Sequence, residues 1–442
     1  MTVWIVNPFD NLPLEGFRPQ RYWMMSRAFA DAGHDVTLFT SDFNHTTKKK
    51  RAVVRDCGFT NHDPRTTNHE PRFAVRFIPT RPYFHNVSIA RVVSHRKLAS
   101  NWLACATKVE KKPDVVIASL PPIRLPLFAK AYADSVGAKF VVDIMDDWPG
   151  TFYRLLPRGL RWLGPLLFSG SRRNVRYLYA HADLVTGVAD RYADLALSAG
   201  AKRYLRFYHG IKLSDSTLQL QLKTPTKKLL YLGNLGRTYD LRTAIEAVAL
   251  DPQLTLDIAG KGEQEDVLKE FAAEKGVTDR VRFHGYLNES ALAELAATCS
   301  YGLIPMSDES CVGIPYKFAD YARFGLHILS SLRGESAALL DKYHCGALYT
   351  PGDPRSLVEK VEKVGGGGQR NLNSTVPPAT CHLTSRLSSP NSMPLASIAI
   401  TSPKLKNSNL SPFPIPHSPF PSHDPPRQTS PNPVSGLLSF SH

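Results

Sequence analysis

KLLYLGNLGRTYDLRTAIEAVALDPQLTLDIAGKG, residues 228–262, is the stretch on which the fold turns. An apolar run (228–232) enters a glycine turn, a helical pattern follows, and a second apolar run (254–259) enters a second glycine turn. Near-continuous apolar strands separated by helices indicate a parallel sheet covered on both faces. The pattern extends outward in both directions. VWIV (3–6), DVTLFT (35–40), DVVIAS (114–119), KFVVDIMD (139–146) and ADLVTGV (182–188) precede it, while VRFHGYL (281–287), YGLIPM (301–306) and HILSS (327–331) follow. Helical patterns such as QRYWMMSRAFADAGH (20–34), with Gly33 as its C-cap, and ESALAELAATC (289–299) lie between. The series breaks around residues 205–225. The fold class is therefore α/β: two doubly wound parallel-sheet domains, 1–205 and 206–364, whose ligands bind beyond the carboxyl ends of the strands, in the cleft between them.

Composition bounds the partners. The 442 residues carry a net charge of +15, unevenly spread: residues 1–205 hold 30 Lys and Arg against 17 Asp and Glu, and residues 206–364 hold 19 against 21. A basic half beside a near-neutral half suggests that one domain meets a polyanion or an anionic membrane; a generally basic proteome would give the same balance. Six scattered cysteines without a CxxC or a Cys/His cluster point to a reducing compartment and no structural zinc. The start MTVWIVNPFDN lacks a signal-peptide pattern, and no run reaches the ~18 apolar residues of a membrane-spanning helix. The expectation is a cytoplasmic protein, peripheral on the inner face of the membrane if it meets lipid. From Gly365 onward the sequence turns rich in Ser and Pro, with Asp424 as its only acid. A packed core is implausible there, and two readings stay open for 365–442: a disordered extension, or a reading frame shifted at the glycine run.

Several strand ends carry residues suited to chemistry. ESCVGIPYKFADYARFG (309–325) places Glu309, Gly313, Pro315 and Lys317 just before or at a helix start and Asp320 one turn further in. Glycine lets backbone approach a ligand, proline suits the first helical turn, and free N–H groups with a lysine favour phosphate. A carboxylate at 320 can accept hydrogen bonds from both ribose hydroxyls. The plain alternative is an ordinary loop–helix junction with solvated Lys and Asp. The glycine turns LGNLGRTYDL (232–241) and IAGKGEQED (259–267) offer Gly236, Arg237 and Lys261, although any doubly wound domain has such turns. In the first half, NPFDNLPLEGFRPQRYW (7–23) sets Gly16 before a helix with Arg18 and Arg21 near its start. KFVVDIMDDWPG (139–150) ends in Asp146 and Asp147, where a carboxylate can orient or deprotonate a sugar hydroxyl, or merely cap the next helix. YRLLPRGLRWLGPLLFSGSRRNVRYLYAH (153–181) interleaves arginines with Trp, Tyr, Leu and Phe, and Lys48–Arg51 form a second basic patch. Both suit an anionic lipid surface, or core packing with solvated arginines; no nucleic-acid-binding module accompanies them.

Taken in order, these segments resemble the GT4-like family of GT-B nucleotide-sugar glycosyltransferases over roughly residues 1–364. LEGFRPQRYWMMSRAFADAGHDVTLFT is similar to the family's glycine loop, first helix and GHxVxxxT strand, and PDVVIASLPPIRLPLFAKAYADSVGAKFVVDIMDDWP to a DVVxASxPP strand preceding an RDxWP strand end. GIPYKFADYARFGLHILSS resembles the PxKxxEYxAxG donor motif. The resemblance implies two Rossmann-like domains, the first for an acceptor and the second for a UDP-, GDP- or dTDP-sugar, with transfer by retention and no metal. It assigns ribose binding to Asp320, the preceding loop to Gly313 and Lys317, the N-terminal loop to Gly16, and the RDxWP acid to Asp146. Asp146 and Lys317 are thus the candidate catalytic residues. Gly236, Arg237, Lys261, Glu309, Gly313, Lys317 and Asp320 are the candidate donor residues, and Gly16, Arg18 and Asp147 the candidate acceptor-loop residues. The acceptor it implies is a lipid-linked or growing polysaccharide intermediate. Met145 replaces the motif's Arg, Val312 stands eight residues before Asp320 where relatives carry Glu, and the family's closing helix is absent from the Ser/Pro-rich text. These departures leave open a catalytically impaired, truncated relative that only binds donor or partners. A nucleotide-sugar epimerase of the same architecture is the other alternative.

Overall fold

The computed structural model describes residues 1–52, 73–153, 156–210, 226–307, 310 and 312–365. The expectations for Glu309 and for the tail beyond residue 365 lie outside them. Two parallel sheets form, as the apolar runs require. The first contains β1 (Thr2–Val6), β2 (Asp35–Ser41), β3 (Phe73–Ile78), β4 (Val115–Leu120), β5 (Lys139–Ile144), β6 (Leu184–Gly187) and β7 (Tyr204–Arg206). Their order is β3-β2-β1-β4-β5-β6-β7. Every residue of β1 and β4 is buried. Successive side chains of β1 enter different cores: Trp4 packs with Phe39, Trp102 and Tyr132, whereas Val3 and Ile5 pack with Tyr22, Met25 and Phe29. A strand covered on both faces has no polar side, which is why it reads as a continuous apolar run.

The second sheet contains β8 (Lys228–Leu232), β9 (Thr255–Ala259), β10 (Val281–Gly285), β11 (Tyr301–Ile304), β12 (His327–Ser330) and β13 (Gly346–Leu348), ordered β10-β9-β8-β11-β12-β13. The helix Pro354–Gly365 packs on this domain, burying Leu357 and Val361, and the Tyr301 hydroxyl donates to the Val361 carbonyl at 3.1 Å. Burying a leucine of this kind contributes about 2 kcal/mol. In each sheet the first strand of the series lies between the second strand and a much later one, so the strand order reverses at β1/β4 and at β8/β11. Loops leaving β1, β8 and β11 therefore stand at switch points, where ligands of open α/β sheets bind.

The two sheets meet through those loops. Arg18 forms an ion pair with Asp320, and Phe17 meets Tyr286 edge-on with ring centroids 6.2 Å apart. Glu335 accepts hydrogen bonds from the Asp190 backbone N–H and the Tyr208 hydroxyl, both at 2.6 Å. Behind these contacts lies a buried anchor. Asp143 takes both nitrogens of the Arg21 fork at 2.8 and 2.9 Å, together with the Tyr22 and Thr186 hydroxyls at 2.6 Å. The remaining Arg21 nitrogen donates to the carbonyls of Phe207 and Tyr208, so one ion pair joins the first helix, β5 and the start of the connection between the domains. With every oxygen and nitrogen of the pair engaged, burial of two charges becomes tolerable.

Candidate active site

The helix Tyr316–Arg323 carries the residues singled out at the donor corner, with Pro315 as its extended N-cap rather than a first-turn residue. Its seat is fixed by Tyr321, whose hydroxyl donates to the Leu303 carbonyl and accepts from the Leu232 N–H, both at 2.9 Å. Gly302 makes room for that ring: a Cβ there would lie 2.2 Å from it. Held this way, the helix turns Lys317 and Asp320, three residues apart, into the interior, where they are only 7% and 4% exposed. The Lys317 Nζ lies 3.7 Å from the ring centre of Tyr239 and 4.9 Å from that of Tyr231. It also reaches the glycine turn after β8, 3.0 Å from where a Cβ of Gly233 would stand. Burial, with help from the Arg18 charge, lowers the Lys317 pKa to about 7.

Other expected donor residues are distributed around this corner. The turns holding Gly236 and Lys261 lie back to back, since a Cβ on Gly260 would stand 1.8 Å from the Gly233 carbonyl oxygen. Lys261 is exposed beside Gly285. Arg237 faces Glu263 at 3.5 Å with its side chain 81% exposed, so the cation beside Lys317 is Arg18 from the other domain. Gly313 serves the contact between domains: a Cβ would stand 2.4 Å from that of Ala189. Gly16 ends a short 3-10 turn at φ +81, with no described residue near where its Cβ would stand.

Across from the donor corner, the end of β5 presents the two expected carboxylates. Asp146 reaches solvent yet is crowded by protein, and this burial raises its pKa to about 6 against the opposing pull of Arg91 and with a push from Asp147. Its charge is felt at Tyr239, which places it toward the donor domain. Asp147 turns back into its own domain. Its carboxylate lies against Gly150 at the start of the helix Gly150–Tyr153, and its carbonyl accepts from the Thr151 N–H at 2.8 Å.

The sequence pattern described as "Glycosyl transferase 4-like domain" matches residues 19–206, and that of "Glycosyl transferases group 1" matches residues 216–368. The chain belongs to the GT4-like glycosyltransferases. Its two-sheet architecture is the GT-B fold. Sucrose-phosphate synthase from Thermosynechococcus elongatus superposes with a TM-score of 0.65 at 14% identity, covering 90% of this chain and 98% of that one. HepE of Anabaena, solved in complex with UDP-glucose, gives 0.59 at 16% identity, covering 90% and 100%. A lipopolysaccharide core biosynthesis glycosyltransferase, LpsE of Rhizobium meliloti (strain 1021), is 32% identical over 109 residues, 24% of this chain. That stretch spans 31% of the relative's length.

Within this glycosyltransferase, three features of the cleft escaped the sequence reading. Asp143 interrupts the apolar run FVVDI, and a charge inside a fully buried strand was the available signal. The Arg18–Asp320 pair joins residues 302 apart and left no local trace. His209, fully buried in the connection between domains, stacks on Tyr316 with ring centres 3.6 Å apart. Nothing in YHGI foretold that contact.

Proposed function

We propose that this glycosyltransferase moves a sugar from a nucleotide-sugar donor to a hydroxyl of a lipid-linked or growing polysaccharide acceptor, with retention and without a bound metal. The observation that carries the reading is the convergence of Lys317 and Asp320 on one buried helical turn, paired across the domains with Arg18, while the charge of Asp146 reaches the neighbouring Tyr239. Asp320 accepts the ribose hydroxyls after exchanging its partner Arg18 for them. Lys317, Arg18 and the helix N-terminus meet the charge that develops on the departing diphosphate, a role for which dry, fixed donors are effective. Asp146 orients a hydroxyl of acceptor or donor sugar. The UDP-glucose complex of HepE makes uridine diphosphate sugars the first donors to test, with GDP- and dTDP-sugars beside them. Asp320→Ala is expected to weaken UDP binding by about 2–3 kcal/mol in calorimetry; unchanged affinity would remove the ribose assignment. Transfer that persists in EDTA is the matching expectation for the metal.

Membrane docking is part of the proposal. Trp162, Leu166 and Leu167 are 74%, 69% and 63% exposed along the turn Arg158–Leu163 and the helix Gly164–Leu167. The next helix, Ser169–His181, adds exposed Arg172, Arg173 and Arg176. Exposed apolar side chains beside arginines suit the interface of an anionic bilayer. No helix among the described residues is long and apolar enough to cross one.

A further inference from the structure

A second constellation lies in the first domain, beside Asp146 and away from the donor corner. The hairpin Phe43–Asn44/Lys49–Lys50, the loop before the helix Ile89–Ala106, and that helix bring together Lys48, Tyr83, Arg91 and His95, walled by Phe9 and Trp148. The Arg91 guanidinium carbon stands 6.0, 5.8 and 5.2 Å from the ring centres of Phe9, Tyr83 and Trp148. The Lys48 Nζ is 4.9 Å from the Tyr83 ring, 3.3 Å from His45 Nδ1 and 2.6 Å from Asn86 Oδ1. Lys48 holds the left-handed backbone conformation at φ 58, costly for a side-chain-bearing residue and met where function over-determines geometry.

Two buried polar atoms in this cluster lack partners among the described residues. His95 is 91% buried, touches the Phe9, Tyr83 and Trp148 rings, and its Nε2 has no hydrogen-bond partner among the described residues; the same holds for the Arg91 Nε. Such atoms are rare in folded interiors because each costs a lost hydrogen bond with water. Arg91 keeps one further bond, from Nη1 to the Asn86 carbonyl at 2.7 Å, so the two cations and the two nitrogens without described partners are set among aromatic rings and share Asn86.

We propose that this cluster binds the acceptor through a phosphate or carboxylate on its sugar, with Lys48 and Arg91 holding the oxyanion, His95 donating to it, and Trp148 and Phe9 covering the ring. The inference rests on the glycosyltransferase reading, and it adds the acceptor's chemical class: an anionic glycoside rather than a neutral one. Arg91 and Asp146 feel each other's charge, so an oxyanion held here would bring neighbouring hydroxyls toward Asp146. Burial keeps His95 and His45 neutral, so the positive charge of the site comes from Lys48 and Arg91.

The test is calorimetry on the full chain at pH 7 with UDP present, titrating methyl glucoside 6-phosphate, methyl glucuronide and methyl glucoside. Either anionic glycoside should bind at least about tenfold more tightly than the neutral one. A preference between the two distinguishes phosphate from carboxylate. Arg91→Gln and Lys48→Gly should each erase that preference; Lys48→Gly also relieves the left-handed backbone, so its melting temperature should not fall. Equal binding of all three glycosides, or a preference that survives both variants, overturns the proposal. UDP binding with no anionic preference would leave the glycosyltransferase reading intact and sink only this inference. An anionic preference without nucleotide binding would sink the glycosyltransferase reading and, with it, the acceptor assignment.

Discussion

Asp320 is only 4% exposed, and its carboxylate is paired with Arg18 from the other domain and, at 3.6 Å, with the Arg323 Nε of its own helix. On the proposed reading a ribose breaks the Arg18 pair before it binds. Freed of that competition, Arg18→Ala should bind uridine several-fold more tightly than the parent in calorimetry, while UDP, which also loses a cation near its phosphates, gains less or weakens. A result in which both ligands weaken equally would show that Arg18 touches the nucleoside itself. The pH profile follows from two neighbours. Asp146, its pKa raised to about 6, carries its charge only above that pH; Lys317, lowered to about 7, carries its charge only below it. Both are in working form in a narrow window, so kcat/KM should be bell-shaped with limbs near pH 6 and 7, reporting the free enzyme. Bound diphosphate raises the Lys317 pKa, so the alkaline limb of kcat should move upward. Asp146→Asn should remove the acid limb alone. The candidate Asp146 was legible because it follows a strand end, and Lys317 and Asp320 because they sit in a loop–helix motif. Arg18 was legible as a cation near a loop, but its partner was not, because pairing across 302 residues is set by how two domains meet.

At the scale of elements, two glycines separate local strain from close approach. Gly260 lies against the Gly233 carbonyl at φ +151, so alanine there forces the donor domain's glycine turns apart. Gly260→Ala should cost about 3 kcal/mol or more in urea unfolding and impair nucleotide binding with it. Gly16 has the same sign of φ but open space, so Gly16→Ala should cost only about 1 kcal/mol. Central strands were read correctly because burial on both faces leaves no polar position in them. The missed strands β3, β7 and β13 all lie at sheet edges, and β7 and β13 have three residues each. Arg76 within β3 and Arg206 at the end of β7 show why no apolar run announced them. The helix Tyr316–Arg323 was anticipated from its start signals, yet the reason it is aimed correctly, Tyr321 lying on Gly302, is a tertiary fact.

For the whole molecule, the two-domain architecture was legible and the contacts across the cleft were not. The exposed set Trp162, Leu166 and Leu167 lies on the first domain, which also carries most of the positive charge. Cosedimentation with vesicles containing phosphatidylglycerol should fall at least about fivefold for Trp162→Ala with Leu166→Ala and decline with salt, whereas neutral phosphatidylcholine vesicles should bind weakly throughout. Vesicle binding unchanged by the double substitution would place the docking surface elsewhere. The Asp143–Arg21 pair has a consequence for engineering. Because Arg21 also holds the carbonyls of Phe207 and Tyr208, the joint between the domains is built partly from the first helix. A chimera that grafts a foreign donor half at this joint inherits a connector whose anchor lies nearly two hundred residues upstream. Exchange of donor specificity by recombination should therefore succeed when the crossover lies beyond Tyr208, and fail to fold when it replaces that short stretch with one unsuited to the host's Arg21.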